Sequence, residues 1–343
     1  MKAMVYTKPK ELKILEVENP RPQPGEALIK VFTCGICGSE LEGFATVSPR
    51  RVPPLIMGHE FSGEVVEVVP SLTPHPSSLI QKGDRVCVNP LLSCGACDLC
   101  RSGRLTVCRH RKLISMHRPG AFAEYVAVPI ASCYKLPDGF DLMKGAFVEP
   151  TANAVHVVGL GMTPLPRYTL VMGAGTIGLL AAQVARAAGA PKVMVADISD
   201  YRLRIARSLG ADETVNVKTQ SLEEATREFT EGAGFDLSVD AVGTSDTRAA
   251  SVAMIRPGGS AVWIGTHSEE TTFNGRDIVL AEKSVRGSYA FTHHDFAKAI
   301  DLLHAGTVKV DTWSKAFPLT AGVETFTALL NGTNDYIKAL LCP

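Results

Sequence analysis

The chain has 343 residues, with 35 lysines plus arginines against 35 aspartates plus glutamates. That length accommodates two domains of ordinary size, and the balanced charge gives no basic footprint for nucleic acid or an anionic membrane. No apolar run opens the chain, the most apolar stretch (170–185) is too short and too broken by glycine to span a bilayer, and nine cysteines without a disulfide framework fit a reducing cytoplasm.

The first part, to about residue 150, is rich in strands and turns. Residues 27–31 follow the turn Pro24-Gly25, residues 63–69 form a β-branched run ended by Pro70, and the turn Lys82-Gly83-Asp84 leads into 85–88. Short β-branched runs between such punctuation predict antiparallel strands. Residues 70–81 are rich in serine and proline and read as an exposed loop.

From about residue 169 the pattern changes to strand–helix alternation. Strands are expected at 169–172, 192–196, 237–240 and 261–264. Helices are expected at 177–188 and 201–209, the latter ended by Gly210, and after the capping box Ser221-Leu222-Glu223-Glu224. This alternation implies a parallel, doubly wound sheet. Beyond Gly287, Phe296, Ile300 and Leu303 have helical spacing, and 337–341 reads as a final strand.

Gly173-x-Gly175-Thr176-Ile177-Gly178 follows the first of these strands and opens the first helix. In that position the first glycine allows the turn, the second lets backbone approach a pyrophosphate, and the third lets helix and strand pack closely. Thr176 and Ile177 then lie at a helix N-terminus that faces phosphate. Asp197 ends the next strand, about 20 residues on, where an acid accepts the adenosine ribose hydroxyls and repels a 2′-phosphate. The expected cofactor is therefore NAD rather than NADP. Arg202 is a further candidate for the adenosine side, or a solvent-facing helix residue.

Cys94, Cys97, Cys100 and Cys108 spell C-x2-C-x2-C-x7-C. Four thiolates so spaced suit one tetrahedral zinc with no open position, a structural site. Cys37 and His59 are further soft ligands, a candidate open metal site. Cys34 and Cys37 also form a C-x-x-C, but redox chemistry would want a βαβ unit around it, and this region reads as antiparallel β. Cys34, Cys87, Cys133 and Cys342 are expected as small buried or neutral residues.

Together these residues resemble the zinc-containing alcohol dehydrogenases of the medium-chain dehydrogenase/reductase superfamily. The likeness runs through Gly58-His59-Glu60, Gly83-Asp84-Arg85-Val86, the cysteine quartet and Gly120-Ala121-Phe122-Ala123-Glu124-Tyr125. Glu149-Pro150 with Asn153-Ala154-Val155-His156 is most similar to the sorbitol and threonine dehydrogenase branch. The resemblance implies a GroES-like catalytic domain from residues 1–153 and 288–343. A Rossmann NAD-binding domain, 154–287, would be inserted in it, with the active site in the cleft between them. It implies two zinc ions per chain, Cys37 and His59 being catalytic ligands. Glu60 is the neighbouring carboxylate that binds the metal or exchanges with water. Glu149 supplies a further acidic ligand or a hydrogen bond to metal-bound water, and Ser39 is the hydroxyl of the proton relay. A homodimer or homotetramer follows from the same resemblance.

Three residues depart from the family pattern. Glu40 stands where Asp is usual, Glu42 where many members carry a relay His, and Ala290 where sorbitol dehydrogenases offer an Arg to a polyol hydroxyl. The implied activity is hydride transfer between NAD and a small secondary alcohol, diol or polyol, giving a ketone. A sugar phosphate or L-threonine-type substrate is the alternative. Arg50, Arg51 and Arg118 could meet such an anion, but read more simply as solvated loop charges. A catalytically silent nucleotide-binding protein is the rival from another class; the joint presence of Cys37, Ser39, His59 and Glu60 argues against it.

Overall fold

A computed structural model describes residues 1–71, 80–163 and 165–343. The chain divides into two compact units. One comprises Met1–Glu149, Ala299–His304 and Val310–Pro343; the other comprises Pro150–Lys298 and Ala305–Lys309. Most of the loop expected at 70–81 falls on 72–79, outside the described residues.

The first unit is built on a seven-stranded sheet. Its order is Cys133–Lys135, Arg85–Val88, Glu60–Val69, Glu26–Gly35, Lys338–Cys342, Ser314–Pro318, with Tyr125–Pro129 also paired to Glu26–Gly35. All these pairs are antiparallel except the last, Ser314–Pro318 on Lys338–Cys342, which is parallel. The final strand of the chain thus lies beside one of the earliest. Met4, Ile29, Phe61, Val65, Val86, Phe122 and Leu341 fill its core, as the alternating pattern of the strands requires. A two-stranded piece, Leu91–Leu92 with Lys112–Leu113, frames the cysteine-rich loop.

The second unit is a six-stranded parallel sheet. Its order is Glu213–Asn216, Lys192–Asp197, Tyr168–Met172, Phe235–Asp240, Ile255–Trp263, Ser284–Gly287. Counted along the chain this is 3-2-1-4-5-6, the doubly wound order in which ligands bind where strand order reverses. Tyr168–Met172 sits at that reversal and is buried along its whole length, the signature of a strand covered on both faces. Helices Thr176–Ala187, Asp200–Ser208 and Leu222–Phe229 follow the first three strands. Ser221 makes its half of the expected capping box by accepting from the Glu224 N–H at 3.2 Å.

The helix His293–His304 belongs to both units by its packing. Phe296 packs against Phe291 with rings tilted and centroids 5.3 Å apart, and His304 stacks on Phe140 at 5.9 Å. The division between units falls inside this helix, later than the 287/288 boundary read from the sequence. A change of pattern marks where an element begins, whereas packing decides to which core each turn contributes. Among the described residues no helix is long and apolar enough to cross a membrane.

Candidate metal centres and active site

All nine cysteines are free thiols, and four of them converge. Cys94 and Cys108 sulfurs lie 3.5 Å apart, Cys97 and Cys108 3.9 Å, and Cys94 and Cys100 4.0 Å. Four Zn–S bonds of about 2.3 Å in a tetrahedron set sulfurs about 3.8 Å apart, so the quartet fits one zinc. Backbone N–H groups of Cys94 and His110 donate to Cys108 Sγ at 3.3 and 3.4 Å. Hydrogen bonds from the backbone of Cys100 and Arg109 bring the Cys97 thiol down to about 6. Burial pushes Cys100 up to about 12. A bound metal would hold all four as thiolates, because only thiolate binds it.

Cys37, His59 and Glu60 form the second group, with one ligand atom of each within 4.8 Å of the others. Two chain segments bring them together. Cys37 caps the helix Gly38–Ala45, and His59-Glu60 opens the strand Glu60–Val69. Gly58 makes the turn into His59 with φ +96°; a Cβ there would come within 2.7 Å of the Phe122 nitrogen and 2.8 Å of Cys34 Sγ.

One fully buried carboxylate, Glu40, ties the two segments. Its Oε2 accepts the Cys37 N–H at 3.1 Å. Its Oε1 accepts the Gly58 N–H at 2.8 Å and lies 2.8 Å from His59 Nδ1. Burial alone would raise this carboxyl, but the charge and hydrogen bond of His59, and then the charge of Arg51, hold it at about 2. Burial works to strip the proton from His59, yet the charge of Glu40 and then of Cys37 outweighs it and raises the imidazole well above its ordinary value. With Nδ1 so engaged, Nε2 is the nitrogen available to a metal, oriented by an acid on its far side as metal-binding histidines commonly are. Glu40 thus reaches the histidine from the helix Gly38–Ala45.

Ser39 is exposed on the first turn of the same helix, its hydroxyl 3.3 Å from Cys37 Sγ. Glu42 is exposed on that helix. Glu149 is half-buried in the first turn of the helix Val148–Gly161 and is not in the Cys37 group.

One residue of the site has no place in the reading of the sequence, and another stands in a different setting from the one expected. Lys338 is buried in the last strand, and its ammonium donates to Glu60 Oε2, itself buried. Burial opposes the charge on Lys338, and Glu60, then Cys37, more than offset it, leaving the amine above its usual value. Its signal was a lone charge inside the apolar run Ile337-Lys338-Ala339-Leu340-Leu341. Arg51, expected as a solvated charge, is instead buried against Ser39 and Ser115. Arg118 is also engaged, donating to Glu26 Oε1 at 2.7 Å and Ala127 O at 2.8 Å. Arg50 is exposed as expected.

In the second unit, Gly173 turns with φ +93° at the end of Tyr168–Met172, and a Cβ on Gly178 would collide with the Gly173 carbonyl oxygen. Gly175 caps the helix Thr176–Ala187 and faces open space, as the position where backbone approaches a pyrophosphate should. Thr176 and Ile177 form its first turn, partly exposed. Asp197, buried at the end of its strand, accepts from Ala174 N at 2.6 Å and Ser199 N at 2.9 Å. It therefore pins the glycine loop. Arg202 is exposed in the first turn of Asp200–Ser208.

Residues 23–138 match the alcohol dehydrogenase GroES-like domain family, and residues 176–305 the zinc-binding dehydrogenase family. An L-threonine 3-dehydrogenase of Saccharopolyspora erythraea is 33% identical over 331 residues, 95% of each chain. The crystal structure of a zinc-binding dehydrogenase from Sinorhizobium meliloti bound to NADP superposes with a TM-score of 0.91 at 30% identity, over 100% of this chain and 99% of that one. Galactitol-1-phosphate dehydrogenase from Escherichia coli superposes with a TM-score of 0.92 at 27% identity over the whole of both chains.

Proposed function

Because the chain belongs to the zinc-binding dehydrogenases, oxidoreductases with a GroES-like alcohol dehydrogenase domain, we propose that it oxidises a small secondary alcohol, diol or polyol to the ketone with NAD. The observation that carries this reading is the convergence of Cys37, His59 and Glu60 with Ser39 beside Cys37. Zinc held there by Cys37 and His59 would supply Lewis-acid polarisation of the alcohol oxygen and a lowered pKa. Glu40 holds His59 in the ligating tautomer, Ser39 takes the proton of the alcohol, and Lys338 balances the charge of Glu60. Glu149 is a candidate further acid at the metal shell. A second zinc in the cysteine quartet braces its loop, and the chain works as a homodimer or homotetramer in the cytoplasm.

Asp197 and the absence of an arginine immediately after it favour NAD over NADP. The relative bound to NADP makes this a direct test: comparable kcat/KM with both cofactors would remove Asp197 from cofactor choice.

The neutral substrate is favoured by the state of the arginines. Arg51 and Arg118 are engaged inside the first unit, which leaves Arg50 of the three to meet an anion. The second reading is an L-threonine-type substrate, supported by the 33% identity to an L-threonine 3-dehydrogenase. A panel of secondary alcohols, diols, polyols, polyol phosphates and L-threonine, followed by NADH absorbance, separates the two. Turnover of L-threonine or a phosphate alone would replace the first reading, and no turnover of any member would favour a silent nucleotide-binding protein.

A further inference from the structure

Arg51 closes the segment Ser48-Pro49-Arg50-Arg51 after the helix Gly38–Ala45, yet it is only 3% exposed. Burying a guanidinium is costly unless its donors are met and its charge is answered. Nη2 donates to Ser39 Oγ at 3.0 Å, Nη1 donates to Ser115 O at 3.2 Å, and the buried Glu40 carboxylate answers the charge. The side chain passes over Gly43, where a Cβ would come within 2.9 Å of its Cδ and Nε. The helix is cut back at the point where the arm crosses to Ser39.

A guanidinium has donors and no acceptor. Its N–H on Ser39 Oγ occupies one lone pair, so the hydroxyl hydrogen turns away from Arg51, and Cys37 Sγ is its partner at 3.3 Å. A serine hydroxyl without such a neighbour rotates to suit whatever is near, including water. From this geometry we infer that Arg51 is a positioning residue for the reaction, holding the Ser39 oxygen from behind so that the hydroxyl is presented on the Cys37 side. The inference rests on the reading of Ser39 as the group that takes the alcohol proton. It also restricts the onward route, since an arginine accepts no proton and Ser39 must pass its own hydrogen to another group.

The test uses the full-length, zinc-loaded enzyme with its best alcohol and NAD. Arg51→Lys keeps a charge facing Glu40 but loses the two-pronged fork, and Arg51→Met loses both. Arg51→Met should cut kcat on the order of 100-fold and Arg51→Lys about 10-fold or more, with KM nearly unchanged. Arg51→Lys should keep the melting temperature and the chelator concentration for half-loss of zinc at their unmodified values. In a Ser39→Ala background, Arg51→Lys should change kcat less than about 2-fold, because the residue acts through that hydroxyl. The same fractional loss in both backgrounds, an unmodified kcat in Arg51→Lys, or a changed zinc half-loss point would overturn the inference while leaving Ser39 in place. A Ser39→Ala enzyme as fast as the unmodified one would remove the Ser39 reading, and the inference with it.

Discussion

Glu40 Oε1 lies 2.8 Å from His59 Nδ1, with both side chains buried. Removing the carboxylate would leave the Gly58 and Cys37 N–H groups without their acceptor and leave His59 Nδ1 to the Ser115 hydroxyl, 3.3 Å away. Glu40→Ala should weaken zinc binding about 10–100-fold and lower thermal stability, whereas Glu40→Asp should retain part of both. Zinc content after dialysis against graded chelator gives the answer, and an Ala variant that holds zinc as firmly as the unmodified protein would remove Glu40 from the metal shell.

The same pair fixes the sign of a pH effect. In metal-free protein the raised His59 contributes stability that is fully present below about pH 6.5 and is lost as pH rises through the raised value. The depressed Glu40 contributes stability present above about pH 4.5 and lost as pH falls through about 2. Between those limits both contributions are in force. Zinc needs neutral imidazole, so loading the metal-free protein near pH 6 should release a proton and affinity should fall as pH drops. Calorimetric zinc titrations in buffers of different ionisation enthalpy would reveal the proton; identical heats in every buffer would count against it.

Lys338 and Glu60 form a buried pair whose members depend on each other. Lys338→Met should destabilise the metal-free protein by about 3–5 kcal/mol, since an unanswered buried carboxylate remains. Adding Glu60→Gln should restore most of the loss. Denaturant melts of the single and double variants measure this, and simple additivity would mean the two side chains act independently.

The two metal groups should differ in lability. Cys37, His59 and Glu60 need not close the coordination sphere, whereas the quartet is closed by four sulfurs. Elemental analysis should find two zinc ions per chain, and mild chelation should remove one along with activity before the melting temperature falls. Loss of both ions in a single step, with unfolding, would refute the division.

Asp197 pins the glycine loop and is also the proposed determinant of cofactor choice, so its substitution should have two effects. Asp197→Ala should narrow the preference for NAD and also cost about 1–3 kcal/mol of stability for the Ala174 N–H left buried without an acceptor. A variant with altered cofactor choice and unchanged melting temperature would show that the loop does not rely on it.

Local spacing made the cysteine quartet and the glycine loop legible in the sequence, because neighbours along the chain supply the whole signal. Four strands of the parallel sheet were legible for the same reason, as short apolar runs bounded by turn residues, whereas the two edge strands Glu213–Asn216 and Ser284–Gly287 were not, because polar residues interrupt them. The helix Gly38–Ala45 was not read as one, since eight residues with glycine at the first and sixth positions show little periodicity. Lys338 was missed because its partner lies 278 residues away. Arg51 was misread because burial of an arginine depends on the acid and carbonyl that tertiary structure brings to it. The helical spacing of Phe296, Ile300 and Leu303 was plain, but nothing in it said that one helix would serve two cores.

The strand Lys338–Cys342 lies between Glu26–Gly35 and Ser314–Pro318 in the seven-stranded sheet. During synthesis the ribosome delivers the residues around Cys37 and His59 long before this strand. Until it inserts, Glu60 has no Lys338 ammonium opposite it, and Cys34-Gly35 is paired on one side, with Phe61 and Glu60, but not on the other. The cysteine loop, whose ligands span only 94–108, can take its metal from local chain alone. The two groups therefore differ in what they require of the chain: the quartet draws all four sulfurs from residues 94–108, whereas the surroundings of Cys37 and His59 are complete only once Lys338, 278 residues from Glu60, is in place.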